Sequence, residues 1–152
     1  MAEIRTAHLF MITLKVGQVQ NLGKTPLGER RIAPVLGGRF EGPKLKGTVE
    51  EGGSDWLLVR PDGATQLDVR LTLRTNDGQL IGMTYRGYRH GPAAVIERLS
   101  RGEAVDPSQY YFRTAPFFET ASDKYGWLNG IVAVATGHRP PEGPVYEVFE
   151  VL

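Results

Sequence analysis

Asp68 and Arg70 stand two residues apart in Leu67-Asp68-Val69-Arg70, and Arg113 and Glu119 flank the centre of the most aromatic run, Tyr110–Glu119. A carboxylate beside a guanidinium is a pair with chemistry in it. The carboxylate can take or give a proton while the arginine polarises a carbonyl or holds an enolate oxygen. Alternation along the aromatic run puts Tyr111, Arg113, Phe117 and Glu119 on one side, with Pro116 as the point where parity is open to a break. An arginine and a glutamate among rings suit a pocket for a planar, partly polar molecule; the plainer reading is a core strand with a structural ion pair. Trp127 and Asn129, in Tyr125-Gly126-Trp127-Leu128-Asn129, offer an indole and an amide to a cavity mouth, although a tryptophan in a loop more often packs.

Other chemistries lack their residues. Gly37-Gly38-Arg39-Phe40-Glu41-Gly42-Pro43 has neither the lysine and hydroxyl of a phosphate loop nor the glycine spacing of a dinucleotide site, and a bulge or tight corner explains its glycines better. His8, His90 and His138 are far apart and not in metal-ligand spacing. There are no cysteines, and Ser54, Ser100, Ser108 and Ser122 have no evident base, which disfavours a nucleophilic triad. No metal and no cofactor is expected.

The elements that must position these residues are short. The chain has 152 residues with 19 glycines and 10 prolines spread as punctuation, no internal repeat and no low-complexity segment, so one domain over 1–152 is expected. Nine runs read as strands: His8–Val16, Arg30–Val35, Leu45–Glu50, Asp55–Arg60, Gln66–Thr75, Gln79–Arg89, Tyr110–Glu119, Gly130–Thr136 and Val145–Val151. Turn residues such as Asp62-Gly63 and Asp77-Gly78 separate them, the pattern of an all-β sandwich or barrel. One helix is expected after Gly91, with Pro92 in its first turn, Gly102 after its last, an apolar stripe of Val95, Ile96 and Leu99, and a Glu97–Arg101 pair. It reads as a cover rather than a scaffold. Eighteen Lys+Arg against seventeen Asp+Glu give a net charge of +1. That balance argues against a nucleic-acid partner, and no apolar run approaches the ~18 residues of a membrane span. No signal-peptide pattern opens the chain, so a cytoplasmic protein is expected.

The hairpin around Asn76-Asp77-Gly78 has a readable register. If Thr75 faces Gln79, one face carries Leu67, Val69, Leu71, Leu73, Ile81, Met83, Tyr85 and Gly87, and the other carries Asp68, Arg70, Thr72, Arg74, Leu80, Gly82, Thr84 and Arg86. The polar ribbon is either a solvated outer face or the charged lining of a barrel. The second reading needs a cover for the apolar ribbon, part from the helix and the rest from a second subunit, so a homo-oligomer goes with it.

Several segments resemble, in family order and over nearly the whole chain, the bacterial family known as domain of unknown function 3237 (uncharacterised protein family 0311). They are Arg31-Ile32-Ala33-Pro34 with Gly37-Gly38-Arg39-Phe40-Glu41-Gly42-Pro43-Lys44-Leu45-Lys46-Gly47, Gly52-Gly53-Ser54-Asp55-Trp56, Leu67-Asp68-Val69-Arg70, Thr75-Asn76-Asp77-Gly78, Tyr111-Phe112-Arg113-Thr114 and Trp127-Leu128-Asn129. The resemblance implies a single antiparallel, calycin-like β-barrel of about 8–10 strands. It implies no reaction. Because charged residues fall in its motifs, it favours the inward-facing ribbon. On that reading Asp68, Arg70, Arg113 and Glu119 are the expected catalytic groups. Arg31, Phe40, Asp55, Trp56, Thr84, Arg86, Tyr111, Trp127 and Asn129 are the expected ligand contacts. The expected function is binding of a small aromatic or carbonyl-containing metabolite inside the barrel, with a cofactor-independent isomerase, cyclase or lyase as the alternative.

Overall fold

A computed structural model describes residues 2–152. Ten strands and one helix follow in the order β1 (Thr6–Val16), β2 (Gln20–Thr25), β3 (Gly28–Glu41), β4 (Lys46–Val49), β5 (Gly53–Val59), β6 (Thr65–Thr75), β7 (Leu80–His90), α1 (Ala93–Ser100), β8 (Tyr111–Glu119), β9 (Ala133–His138) and β10 (Val145–Val151). All pairings are antiparallel, and the ring closes because β1 bonds both β10 and β3. The long β3 bonds β5 with its first half and β4 with its second, so β4 and β5 share one place between β3 and β6. The result is a closed eight-position barrel with two extra strands, and β2 extends the edge of β3.

Nine strands match the nine expected runs. The tenth, β2, has no buried residue and no alternation to mark it. Gly37-Gly38 does not turn the chain, because β3 runs straight through it. Gly38 has φ +152°, and a side chain there would reach within 2.2 Å of the Thr13 carbonyl oxygen, so the crossing of β3 over β1 admits only glycine. The expected bulge explanation holds: the β1–β3 register shifts beside it, between Lys15 and Val16.

The Asn76-Asp77-Gly78 hairpin has the expected register, with Asp68 opposite Arg86 and Arg70 opposite Thr84. Its tip is tied to the segment that follows the neighbouring strand β8. Asp77 accepts hydrogen bonds from Thr75, from the Lys124 ammonium at 2.9 Å and from the Tyr125 hydroxyl at 3.0 Å. Beneath that end, Phe10 packs on Phe40 and Phe118 with ring centroids 5.4 and 5.9 Å apart. This half of the barrel is a packed core. Helix α1 lies across the other end and supplies Val95 and Leu99 to the core, and the Glu97–Arg101 pair forms at 3.0 Å.

Truncating a wholly buried phenylalanine in such a plug removes its transfer free energy and leaves a void. Phe10→Ala is expected to lower unfolding free energy by about 3–5 kcal/mol in urea denaturation while β structure is retained by circular dichroism.

Candidate functional site

Side chains fill the Phe10 end of the barrel, but not the α1 end. A cavity of about 440 Å³ remains there, enclosed by β1, β3, β5, β6, β7, β8 and β10 and roofed by Ile96, Leu99 and Ser100 of α1. Its walls are mostly aliphatic, among them Leu57, Val59, Leu67 and Val69. Against them stand Arg31 from β3, Asp55 from β5, Thr65 from β6, Tyr85 and Arg89 from β7, Arg139 just after β9, and Tyr146 from β10. The other depressions are more open grooves on the outer surface.

Asp55 owes its place to a gap in a ladder. β5 and β6 pair at Asp55–Val69 and again at Leu58–Gln66, but not between. In the gap the Asp55 carboxylate accepts the Asp68 backbone N–H at 3.1 Å, and Arg30 donates to the Trp56 carbonyl at 2.8 Å. The side chain thus stays beside the ladder, facing the cavity. Burial pushes its pKa from 3.8 up to about 6, against the lowering effects of the Asp68 N–H and the Arg89 charge. A group near 6 exchanges protons readily at neutral pH, the property required of a general acid–base.

Two of the three cations around it, Arg89 and Arg139, enter no ion pair among the described residues. Arg89 sits 5.4 Å over the Phe112 ring and takes part in no ion pair among the described residues. Burial lowers its pKa, and the neighbouring Arg139 charge adds to this. Arg31 bonds Glu29 at 2.6 Å through one terminal nitrogen, yet its Nε is buried with no hydrogen-bond partner. The Arg139 guanidinium donates to the Pro140 carbonyl at 2.6 Å, and its backbone N–H donates to the Tyr110 hydroxyl at 2.8 Å. Tyr85 and Tyr146 meet edge to face at 5.1 Å. Burial, followed for Tyr85 by the neighbouring Tyr146, raises both phenols, so they remain neutral donors. With Arg31 paired to Glu29, two unpaired guanidiniums, Arg89 and Arg139, stand against one cavity carboxyl group, Asp55. The site therefore favours a ligand that brings negative charge or develops it. No cluster of three His, Cys, Asp or Glu side chains suited to a metal occurs among the described residues.

Of the expected site residues, the fold brings Arg31 and Asp55 together at this cavity. The expectation that the polar ribbon faces inward is overturned. Asp68, Arg70, Thr84 and Arg86 are exposed on the outer surface, while Leu67, Val69, Met83 and Tyr85 are buried. The reason is that ring closure buries one face of every strand in the ring, and the apolar ribbon outweighs the charged one. Nor does it need a second subunit to cover it. Arg113, Tyr111 and Glu119 also point outward, because alternation passes through Pro116 without a break. Trp56 is 48% exposed. Phe40 is buried, but in the plug at the opposite end. Trp127 and Asn129 lie in a short 3-10 turn (Gly126–Gly130) away from the cavity. Lys44 sits over the indole at 4.8 Å, and the Asn129 amide is bonded to the backbone of Thr120. Arg89, Arg139, Tyr85 and Tyr146 are the cavity groups not expected as site residues. Arg89 continues the Tyr85–Gly87 parity by one more step opposite Thr65, and a cation ending an apolar face is a readable signal.

The family model described as "Protein of unknown function (DUF3237)" matches residues 4–151. The chain belongs to that family. A UPF0311 protein of Rhodopseudomonas palustris is 36% identical over 149 residues, covering 98% of this chain and 97% of that one. The solved R. palustris structure superposes with a TM-score of 0.96 at 36% identity, each chain fully covered. A β-barrel-like protein of Acinetobacter baumannii gives 0.87 at 38% identity, covering 99% and 98%. More distant is a Penicillium herquei protein named hydroalkoxylation enzyme, 27% identical over 128 residues, which span 84% of this chain and 70% of that protein.

The raised Asp55 pKa has a signed consequence. The folded chain keeps this proton up to about pH 6 and the unfolded chain only to about 3.8, so folding binds a proton between those values and stability falls as pH rises through them. Asp55→Asn keeps the acceptor oxygen and removes the charge. It is expected to match the parent near pH 4 and to exceed its unfolding free energy by about 2–3 kcal/mol at pH 7, as measured by urea titrations across that range.

Proposed function

We propose that this family member is an acid–base enzyme working with its own side chains on a small carbonyl-containing organic molecule held inside the barrel. The observation that carries this reading is one carboxyl group, tuned by burial to about 6, facing an aliphatic cavity beside an unneutralised Arg89. The reaction class is addition of a hydroxyl group across a conjugated carbon–carbon double bond within one molecule, or the reverse elimination. In the forward direction the substrate hydroxyl gives its proton to the Asp55 carboxylate as its oxygen bonds to the β-carbon. The electron pair of the double bond moves to the carbonyl oxygen, where Arg89 and a tyrosine hydroxyl hold the enolate. The proton returns from Asp55 to the α-carbon, so the product is an isomer of the substrate and the enzyme is regenerated.

The name of the distant Penicillium herquei relative supports this reading, since hydroalkoxylation is the addition of an O–H across a carbon–carbon double bond. The aliphatic walls and the α1 roof suit it too, because they reduce the access of water to the enolate. A binding protein without catalysis would have no use for an acid held near 6 at the cost of its own stability.

The test uses 2′-hydroxychalcone, whose cyclisation is followed by absorbance and, in D2O, by deuterium at the α-carbon. The parent chain is expected to accelerate cyclisation over buffer. Asp55→Asn is expected to lower kcat by about 100-fold or more with ligand affinity nearly unchanged. Arg89→Gln is expected to lower kcat by about 10–1,000-fold. Equal rates for the parent and Asp55→Asn would refute the proposal.

A further inference from the structure

Five charged residues that the cavity leaves unused, Asp68, Arg70, Arg86, Arg113 and Glu119, lie together on the outer surface of β6–β8, beside β9. In rows across the strands, Asp68 neighbours Arg86 and then Ala115, Arg70 neighbours Thr84 and then Phe117, Tyr88 neighbours Arg113, and Gly82 neighbours Glu119. Asp68, Arg70, Arg86, Arg113 and Glu119 enter no ion pair among the described residues. Phe117 is 54% exposed, and Tyr88, Tyr111, Val132 and Val134 are also open to solvent. Arginine and aromatic side chains without a single lysine make up the composition of a protein interface rather than of a solvated sheet.

The pattern is self-complementary. We propose that this face joins two copies of the chain about a two-fold axis running across the strands over the Val69–Tyr85–Pro116 row. Such an axis lays each strand antiparallel over its own mate. It sets Asp68 against Arg70 of the second copy, Arg113 against Glu119, and Phe117 against Ala115, with each contact repeated by symmetry. Tyr88 falls opposite Gly82, again large against small. Phe117 of one copy enters the groove of about 690 Å³ that Arg86, Arg113, Ala115 and Val134 help to line on the other.

Register follows from charge. Moving the axis one row toward Ala115 stacks Asp68 on Asp68 and Arg86 on Arg86, and moving it one row the other way stacks Arg70 on Arg70. Sheets about 10 Å apart leave room for an arginine and a glutamate to meet. Four strands at ~4.8 Å and four outward rows at ~6.8 Å give roughly 500 Å² a copy. That is about 1,000 Å² in total, at the threshold of a specific interface. The proposal is independent of the cavity chemistry, since none of these side chains reaches the interior.

Sedimentation equilibrium and light scattering between about 5 and 100 µM test it. The parent is expected at twice the 16.8 kDa chain mass. Arg113→Glu and Glu119→Arg are each expected to weaken association about tenfold or more, since each change acts twice in the dimer, and Arg113→Glu/Glu119→Arg together to restore it to within about threefold. Phe117→Asp is expected to give monomers with an unchanged circular dichroism spectrum. A parent that stays monomeric at 100 µM, single variants that associate like the parent, or a double variant no better than the singles would each overturn the proposal.

Discussion

Closure of the ring is the constraint on which everything else depends. Once β1 bonds both β10 and β3, every strand of the ring has one face turned to a common interior of fixed size, and the two-residue period of the strand decides the fate of each side chain. At one end the interior is filled by phenylalanines and by the turn that follows β8. At the other, the inward positions include Ala33 and Thr65 among longer residues, and the space left over becomes the cavity. Packing and emptiness are two outcomes of a single rule.

Within that cavity, a small interruption of hydrogen bonding sets the chemistry. The β5–β6 ladder opens for two residues, and the Asp55 carboxylate takes one of the released N–H groups. That bond and Arg89 favour the charged form, yet burial outweighs both and leaves the acid near neutrality. Arg89 and Arg139 sit near one carboxyl group rather than locked in ion pairs, an arrangement that is costly in a low-dielectric interior unless a developing anion uses it.

The outer face obeys the same alternation with opposite content. Charges that cannot enter the barrel collect there and remain unpaired within the chain, while the rings between them stay exposed. A solvated surface has no need of an exposed Phe117 beside a small Ala115 on β8. A surface that meets its own copy does.

The sequence by itself determined nine of the ten strands, the hairpin register and the family, because turn residues and strict alternation are local signals. It also marked Asp55 and Arg31, through motif segments that hold both. The direction in which the ribbon faces was decided only by tertiary structure. Period-two alternation says that Asp68 and Leu67 lie on opposite sides but not which side is enclosed, and that answer needs the ring to close. The grouping of Asp55, Arg89, Arg139 and Tyr146 was beyond the sequence for the same reason. These residues come from four parts of the chain, and only closure of the barrel, with its gap at Asp55, brings them to one cavity.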